Sequence, residues 1–286
     1  MIVNNKGGFV ESGLYVVATP IGNLGDMSPR AVEILRHADI IAAEDTRHSL
    51  RLLEHFGIET RLIAYHDHSD VRSVDKIDEC LGGGGVVALV SDAGTPLISD
   101  PGYRLVRYAH EQSYAVRAVP GPCAAIAALS VSGLATDRFF FEGFLPAKAI
   151  ARANRLRALK GEDATLIFYE APHRILDCLV SLEAEFGPDR QIMMAREITK
   201  AFETVKCGTV SELLSFVGGD SNQRRGEIVL VVAGKPQGVS ELDETTAVLL
   251  RRLAEELPAK RAAAVVADIT GVRKKALYQF LLDEKQ

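Results

Sequence analysis

The strongest constraint on how this chain folds is an alternation, over its first 120 residues, of short β-branched apolar runs with helix-length amphipathic segments. Leu14 to Thr19 (LYVVAT) reads as a strand. Ser28 to Ala38 reads as a helix with Pro29 in its first turn, where a missing N–H costs nothing. Asp39 to Ala43 is a second strand, and Arg47 to Phe56 is a helix that stops at Gly57. Arg61 to Tyr65, Val86 to Val90 and Ala115 to Val119 follow as strands, separated by helices near Val71 to Leu81 and Gly102 to Gln112. Alternation at this spacing predicts βαβ units and a mostly parallel sheet. Gly82 to Gly85 has the composition of a phosphate loop, but it precedes a strand and reads as a turn.

The second half opens with a small-residue helix, Ala124 to Ser132, after Pro120-Gly-Pro122. Strand-like segments at Phe139 to Phe144, Thr165 to Tyr169, Gln191 to Ala195 and Ile228 to Val232 alternate with helices near Arg152 to Leu159 and Arg174 to Phe186. The predicted fold class is therefore α/β, with a poorly ordered lead at 1–12, one α/β domain at 13–120 and another at 121–235. Pro236 to Glu244 is polar and reads as a linker. Residues 245–286 read as helix only, with Gly271 between two amphipathic pieces, which predicts a small helical domain of helix-turn-helix type.

Charge and cysteine content narrow the function classes. With 33 Lys and Arg against 38 Asp and Glu, the net charge is −5. A uniformly basic nucleic-acid coat is excluded, and any RNA or DNA partner must be held by a local patch. No apolar run approaches the ~18 residues that span a bilayer, so no membrane partner is expected. The four cysteines show no C-x-x-C or zinc spacing, which predicts a reduced, cytoplasmic chain with no metal.

In open parallel sheets, ligands bind beyond the carboxyl ends of the strands. Each predicted strand of the first domain ends there in a polar or Gly/Pro-rich loop: Pro20 to Asp26, Glu44 to Arg47, His66 to Asp70, Ser91 to Gly102 and Pro120 to Pro122. Five such loops in succession make this edge the functional one. The fourth is the most informative, because Gly94, Pro96, Pro101 and Gly102 fix an irregular turn while Ser91, Asp92, Thr95, Ser99 and Asp100 supply donors and acceptors. No Walker pattern is present and no G-x-G-x-x-G follows the first strand, which argues against a triphosphate. A neutral or cationic small molecule, held by backbone groups and one or two carboxylates, fits better.

ATPIGNLGD, AEDTR, SDAGTPLISDPG, the PGP loop, FYEAPHR, REITK and GEIVLVV occur together and in this order. In these motifs the chain resembles the tetrapyrrole-methylase superfamily, and within it the bacterial ribosomal RNA small-subunit methyltransferase I family. The likeness runs from residue 14 to about 234 and extends into the tail ELPAKRAAAVVADITGVRKKALYQFLL. Two departures are Cys123, where relatives usually carry Ser, and HDHSD, where His-Glu-His-Asn-Glu is more usual. The resemblance implies two α/β domains with S-adenosyl-L-methionine in the cleft between them, a homodimer, and methylation of a cytidine 2′-hydroxyl in the decoding region of 16S rRNA in the small ribosomal subunit. It implies a cofactor site lined by Pro20, Ser91, Asp92, Ala93, Gly94, Thr95, Pro96, Cys123, Ala124 and Ala125, closed from the second domain by Glu170, Ala171, Ile198 and Thr199. A cationic sulfonium suits a nearby carboxylate such as Asp92 or Glu170.

A ribose hydroxyl is a poor nucleophile near neutral pH, so a group should help remove its proton. Lys200, if desolvated, and Glu203 are candidates from the charged set Arg196, Glu197, Lys200 and Glu203. Glu44 and Asp45 are candidates from the second loop, although Asp45 also suits a helix cap. Arg47 and His66 would face RNA. His68, Asp67 and Asp70 beside His66 make a poor metal signal. Pro172-His173-Arg174 opens a helix whose amide end favours anions, which places Arg174 on a phosphate or a carboxylate. Lys148, Arg152, Arg155, Arg157 and Lys160 concentrate positive charge on the acidic chain. So does the tail from Thr246, with eight Lys and Arg against five Asp and Glu, a net +3. Arg273, Lys274 and Lys275 stand in the first turn of its last helix, ready for RNA phosphates. Two alternatives remain open at this point. One is a methyltransferase of a small acceptor such as a corrinoid precursor, and the other is a nucleic-acid-binding regulator.

Overall fold

The computed structural model describes residues 10–66, 71–235 and 244–284. Residues through Gly234 form one compact unit and Lys235 onward a second. The first unit begins with β1 (Gly13–Val17), α1 (Pro29–His37), β2 (Ile40–Ala43), α2 (Thr46–His55), β3 (Leu62–Ala64), α3 (Val71–Gly82), β4 (Val86–Val90), α4 (Tyr103–Glu111) and β5 (Val116–Val119). The five strands form a parallel sheet in the order β3-β2-β4-β1-β5, as the alternation predicts. Burial on both faces explains the near-continuous apolar strands. Ile34 and Leu35 of α1 and Leu53 of α2 pack on one face, while Ile77 and Leu81 of α3 and Leu105 of α4 pack on the other.

That order places β1 beside β4, and their crossovers leave in opposite directions, toward β2 from β1 and toward β5 from β4. A crevice opens where adjacent connections diverge, so the loops after β1 and β4 frame a site before any side chain is considered.

The chain then continues through α5 (Ala124–Val131), β6 (Phe139–Phe144), α6 (Ala149–Leu159), β7 (Thr165–Glu170), α7 (Ile175–Phe186), β8 (Gln191–Arg196), β9 (Thr204–Thr209), α8 (Val210–Gly219) and β10 (Ile228–Val232). This second sheet has the order β6-β7-β10-β8-β9, with β6 and β7 parallel and the other pairs antiparallel. α6, α7 and α8 cover one face, and α5 packs its Ala125, Ala128 and Leu129 on the other. β9 and α8 lie beyond the sequence expectation. Their signal was a capping box, in which Thr209 Oγ1 accepts from Glu212 N at 3.2 Å and Glu212 Oε2 accepts from Thr209 N at 2.9 Å.

The second unit holds α9 (Glu244–Glu256), α10 (Ala259–Thr270) and α11 (Lys274–Asp283), closed around Leu250, Ala263, Val266, Leu277 and Leu281. Gly271, at φ +73°, ends α10 in the left-handed conformation that the turn into α11 requires. Among the described residues no helix is long and apolar enough to cross a membrane.

Candidate active site

Backbone bonds tie the strand-end loops of the first sheet together. Thr19 N donates to Gly94 O at 2.9 Å and Gly94 N to Thr19 O at 3.0 Å, which joins the β1 and β4 loops. Gly94 adopts φ +80°, and a Cβ there would stand 3.2 Å from Ile21 Cγ2. Thr95 Oγ1 donates to Pro122 O at 2.9 Å, and Asp45 N donates to Asp92 Oδ1 at 3.1 Å, which adds the β5 and β2 loops.

Between these loops and the second sheet lies a cavity of about 360 Å³. Ile21, Ala93, Gly94, Thr95, Ile98, Asp100, Cys123 and Ala124 line it on one side, and Phe144, Tyr169, Glu170, Ala171, Ile198, Glu227 and Val229 on the other. Its wall is largely apolar, with few polar groups, as small-molecule sites commonly are. The Tyr169 hydroxyl accepts the Ala125 N–H at 3.1 Å, and burial raises its pKa, so it stays protonated. Cys123 caps α5 without a side-chain bond, the contact a hydroxyl would have made.

The acidic groups nearby favour a cation. Burial raises the Glu44 carboxyl above its usual range, and the charges of Asp92 and Asp100 raise it further. Burial likewise raises Asp100, a hydrogen bond from Ser91 opposes the shift, and Asp92 adds to it. A positive ligand between these carboxylates would relieve their repulsion. Glu170 is not available for this role. Its carboxylate is buried, accepts from Ala171 N at 2.8 Å and lies 3.1 Å from Arg174 Nε.

A second cavity of about 500 Å³ adjoins the first, lined among others by Pro20, Gly22, His48, Arg51, Ser91, Asp92 and Lys200. Ile21, Ala93 and Glu227 belong to both walls. Lys200 Nζ bridges Glu197 Oε1 and Glu227 Oε2, each at 3.0 Å. Burial pushes its pKa down, but the two carboxylates outweigh this and the net direction is up. Lys200 is therefore an ammonium and not the amine base that the sequence suggested.

The other expected bases are also committed elsewhere. Asp45 accepts from Arg47 N at 2.8 Å and pairs with the Arg47 guanidinium at 2.9 Å, which holds its carboxyl down at about 2. Glu203 accepts from Thr199 N at 2.6 Å and lines neither cavity. Glu44 lines neither wall, although its charge is felt by the site.

Eight of the expected cofactor residues meet at the first cavity: Ala93, Gly94, Thr95, Cys123, Ala124, Glu170, Ala171 and Ile198. Pro20, Ser91 and Asp92 line the second, while Pro96, Ala125 and Thr199 line neither. Asp100, expected as an acceptor of the fourth loop, lines the first cavity, and Tyr169 and Glu227 join it without having been singled out, although each stands inside a motif already recognised.

The expected RNA contacts divide more sharply. Arg47, His66, Lys148, Arg273, Lys274 and Lys275 are exposed. Arg152 is a correction: it is buried, with Nε on Ser181 Oγ at 3.0 Å, and presents no charge to a phosphate. Arg155 makes a bidentate pair with Glu142, both bonds at 2.6 Å, and Arg157 pairs with Glu185 at 2.7 Å. The positive run in sequence is thus largely neutralised by residues distant in sequence. Arg174 is turned to Glu170, the carboxylate option of its expected roles. Asp67, His68 and Asp70 lie outside the described residues.

A family model described as Tetrapyrrole (Corrin/Porphyrin) Methylases matches residues 13–214, and one described as RsmI C-terminal HTH domain matches residues 240–285. The chain is 54% identical over 274 residues to Ribosomal RNA small subunit methyltransferase I of Pseudomonas aeruginosa, covering 95% of this chain and 97% of that one. It is 50% identical to the protein of the same name from Escherichia coli O157:H7, covering 96% of each. Among solved structures, uroporphyrin-III-C-methyltransferase from Thermus thermophilus shares the fold, with a TM-score of 0.53 and 20% identity over 78% of this chain and 94% of that one.

Proposed function

This chain belongs to the tetrapyrrole methylase family, and from that premise we propose that it is an S-adenosyl-L-methionine-dependent methyltransferase acting on the 2′-hydroxyl of a cytidine in the decoding region of 16S rRNA. The observation that carries this reading is the extent of the likeness, which runs through the cleft loops and the helical tail of rRNA-methylating relatives at about half identity. The uroporphyrin enzyme, whose name indicates a small acceptor, matches only 78% of this chain. A small acceptor would give an appended basic helical unit nothing to do. The working form is taken to be a cytoplasmic homodimer, to be checked by light scattering.

The first cavity suits the cofactor. Its apolar walls suit an adenine ring and the carboxylates around it suit a sulfonium, while Gly94 leaves room where a side chain would intrude. When bound, S-adenosylmethionine supplies an electrophilic methyl group. The second cavity then takes the acceptor nucleoside, with Arg51 and His48 on its wall available to the adjoining phosphates. Positioning the hydroxyl for in-line approach supplies much of the lowering of the barrier. The test is labelled methyl transfer to small ribosomal subunits from cells lacking the enzyme, followed by mapping of the modified nucleotide. Label on a ribose supports the reading. Label on a corrinoid precursor but not on subunits would refute it.

A further inference from the structure

Resting on that reading, we propose that Glu227 is the catalytic base, and that Lys200 is the positioning residue that aims it. A methyl group passing from donor to acceptor must cross the seam between the two cavities. Among the described residues only Ile21, Ala93 and Glu227 line both, and Glu227 alone of these has a side chain that can accept a proton.

Its geometry suits the role. Lys200 Nζ holds Oε2 at 3.0 Å, and among the described residues no hydrogen bond reaches Oε1. One oxygen is thus anchored and the other is free to meet a hydroxyl, the arrangement by which a base is oriented through a third group. The backbone is equally fixed, since Glu227 N donates to Glu197 Oε1 at 2.9 Å and the next residue begins the central strand β10. Glu197 in turn accepts from Lys200, which closes a ring of three residues through two side-chain bonds and the Glu227 backbone N–H. Gly22 keeps the ring in place, because a Cβ there would overlap the Lys200 stem. The carboxylate is 74% exposed, so an incoming ribose can touch it and water can take its proton away afterwards.

In the step, Glu227 Oε1 takes the proton from O2′ as the O2′ electron pair forms its bond to the methyl carbon. The carbon–sulfur bond breaks, and its electron pair stays on sulfur, turning the sulfonium donor into a neutral thioether. The Glu227 carboxyl then loses its proton to water. Charge is conserved: carboxylate and sulfonium give two neutral groups, and the proton then released to water is matched by the negative charge that returns to the Glu227 carboxylate.

The test compares Glu227→Gln and Glu227→Ala with the wild type on small subunits. The Gln variant should lose roughly 10²- to 10⁴-fold in kcat, the range of general-base catalysis, with subunit KM and calorimetric affinity for S-adenosylmethionine unchanged. Added formate should restore turnover in the Ala variant, a response that a purely structural residue would not give. Melting curves verify that both variants fold, as an exposed site should allow. An undiminished kcat in the Gln variant overturns the assignment. So does a loss of cofactor affinity that accounts for the whole fall, or an Ala variant that formate leaves inactive. A wild type that methylates no ribose overturns the functional reading and this inference with it, whereas a fully active Gln variant beside an active wild type overturns only the inference.

Discussion

Replacing Arg174 by Met decides between two roles for one cation. By sequence it stands at the opening of a helix, where an anion such as RNA phosphate could bind. In the fold its guanidinium faces Glu170, whose side chain has no exposed surface while that of Arg174 is 19% exposed. Nε lies 3.1 Å from Oε1 without hydrogen-bond alignment, and Nη2 donates to Oε2 at 3.4 Å. Removing one partner of a buried pair leaves an uncompensated charge, at a cost of about 3–5 kcal/mol. For a unit of this size each kcal/mol lowers the melting temperature by roughly 2–4 °C, so Arg174→Met should lower it by roughly 6–20 °C. Adding Glu170→Gln to the same chain should recover most of that loss, since the neutral amide still accepts the Ala171 N–H. Calorimetric melting of the four chains of this cycle measures it, and subunit binding across a salt series gives a second readout. A melting temperature that hardly moves, together with a salt slope reduced by about one phosphate contact, would refute the buried-pair argument and restore the RNA role.

Further expectations follow from the loops, the carboxylates and the tail. Gly94→Leu should abolish calorimetric binding of S-adenosylmethionine while the chain stays folded by circular dichroism. A left-handed φ costs a side chain only about 1–2 kcal/mol, but the added bulk enters the cavity. Unchanged affinity would contradict the placement. Glu44 holds its proton more tightly in the fold, so its burden on stability is absent at acid pH and grows as pH rises through the folded pKa. Glu44→Gln should therefore raise the melting temperature near pH 7 and leave it unchanged near pH 4, below which the carboxyl is neutral in both states. A chain ending after residue 238 should fold and bind the cofactor yet methylate subunits far more slowly, mainly through weaker subunit binding. Undiminished methylation would leave the tail with another role.

What was legible in the sequence followed from local rules. Strand–helix alternation set the parallel sheet, and Gly and Pro punctuation marked the loops at its functional edge. The motif at Ser91 to Gly102 pointed to Ala93, Gly94 and Thr95, which the fold sets on the wall of the first cavity, because the Gly and Pro residues that mark the loop in sequence also fix its turn. What failed depended on contacts between distant residues. Arg152, Arg155 and Arg157 read as a basic run, but Ser181, Glu142 and Glu185 consume them from up to 29 residues away. Lys200 read as a base until Glu227, 27 residues on, appeared beside it. Charge counted along the sequence overstates free charge wherever partners arrive from other elements.

Backbone strain gives independent evidence that the two cavities are built as one device. Five non-glycine residues of the described chain have left-handed φ, and four of them, Leu97, Ser99, Glu197 and Thr199, lie in two loops on opposite sheets that face each other across the first cavity. At about 1–2 kcal/mol each, four such residues cost a large part of the ~5–15 kcal/mol by which a domain is stable. Such strain persists only where the surroundings over-determine the conformation. Here the restraints are visible. Glu203 holds Thr199 N, Glu227 N and the Lys200 ammonium hold the Glu197 carboxylate, and Gly226 clears the space for it. Glu203 touches neither cavity, so its contribution to the site is made through the turn it fixes. The bonds that hold the strain also set Lys200 and Glu227 at the seam, so loosening the turn would relieve the backbone and misplace the chemistry together.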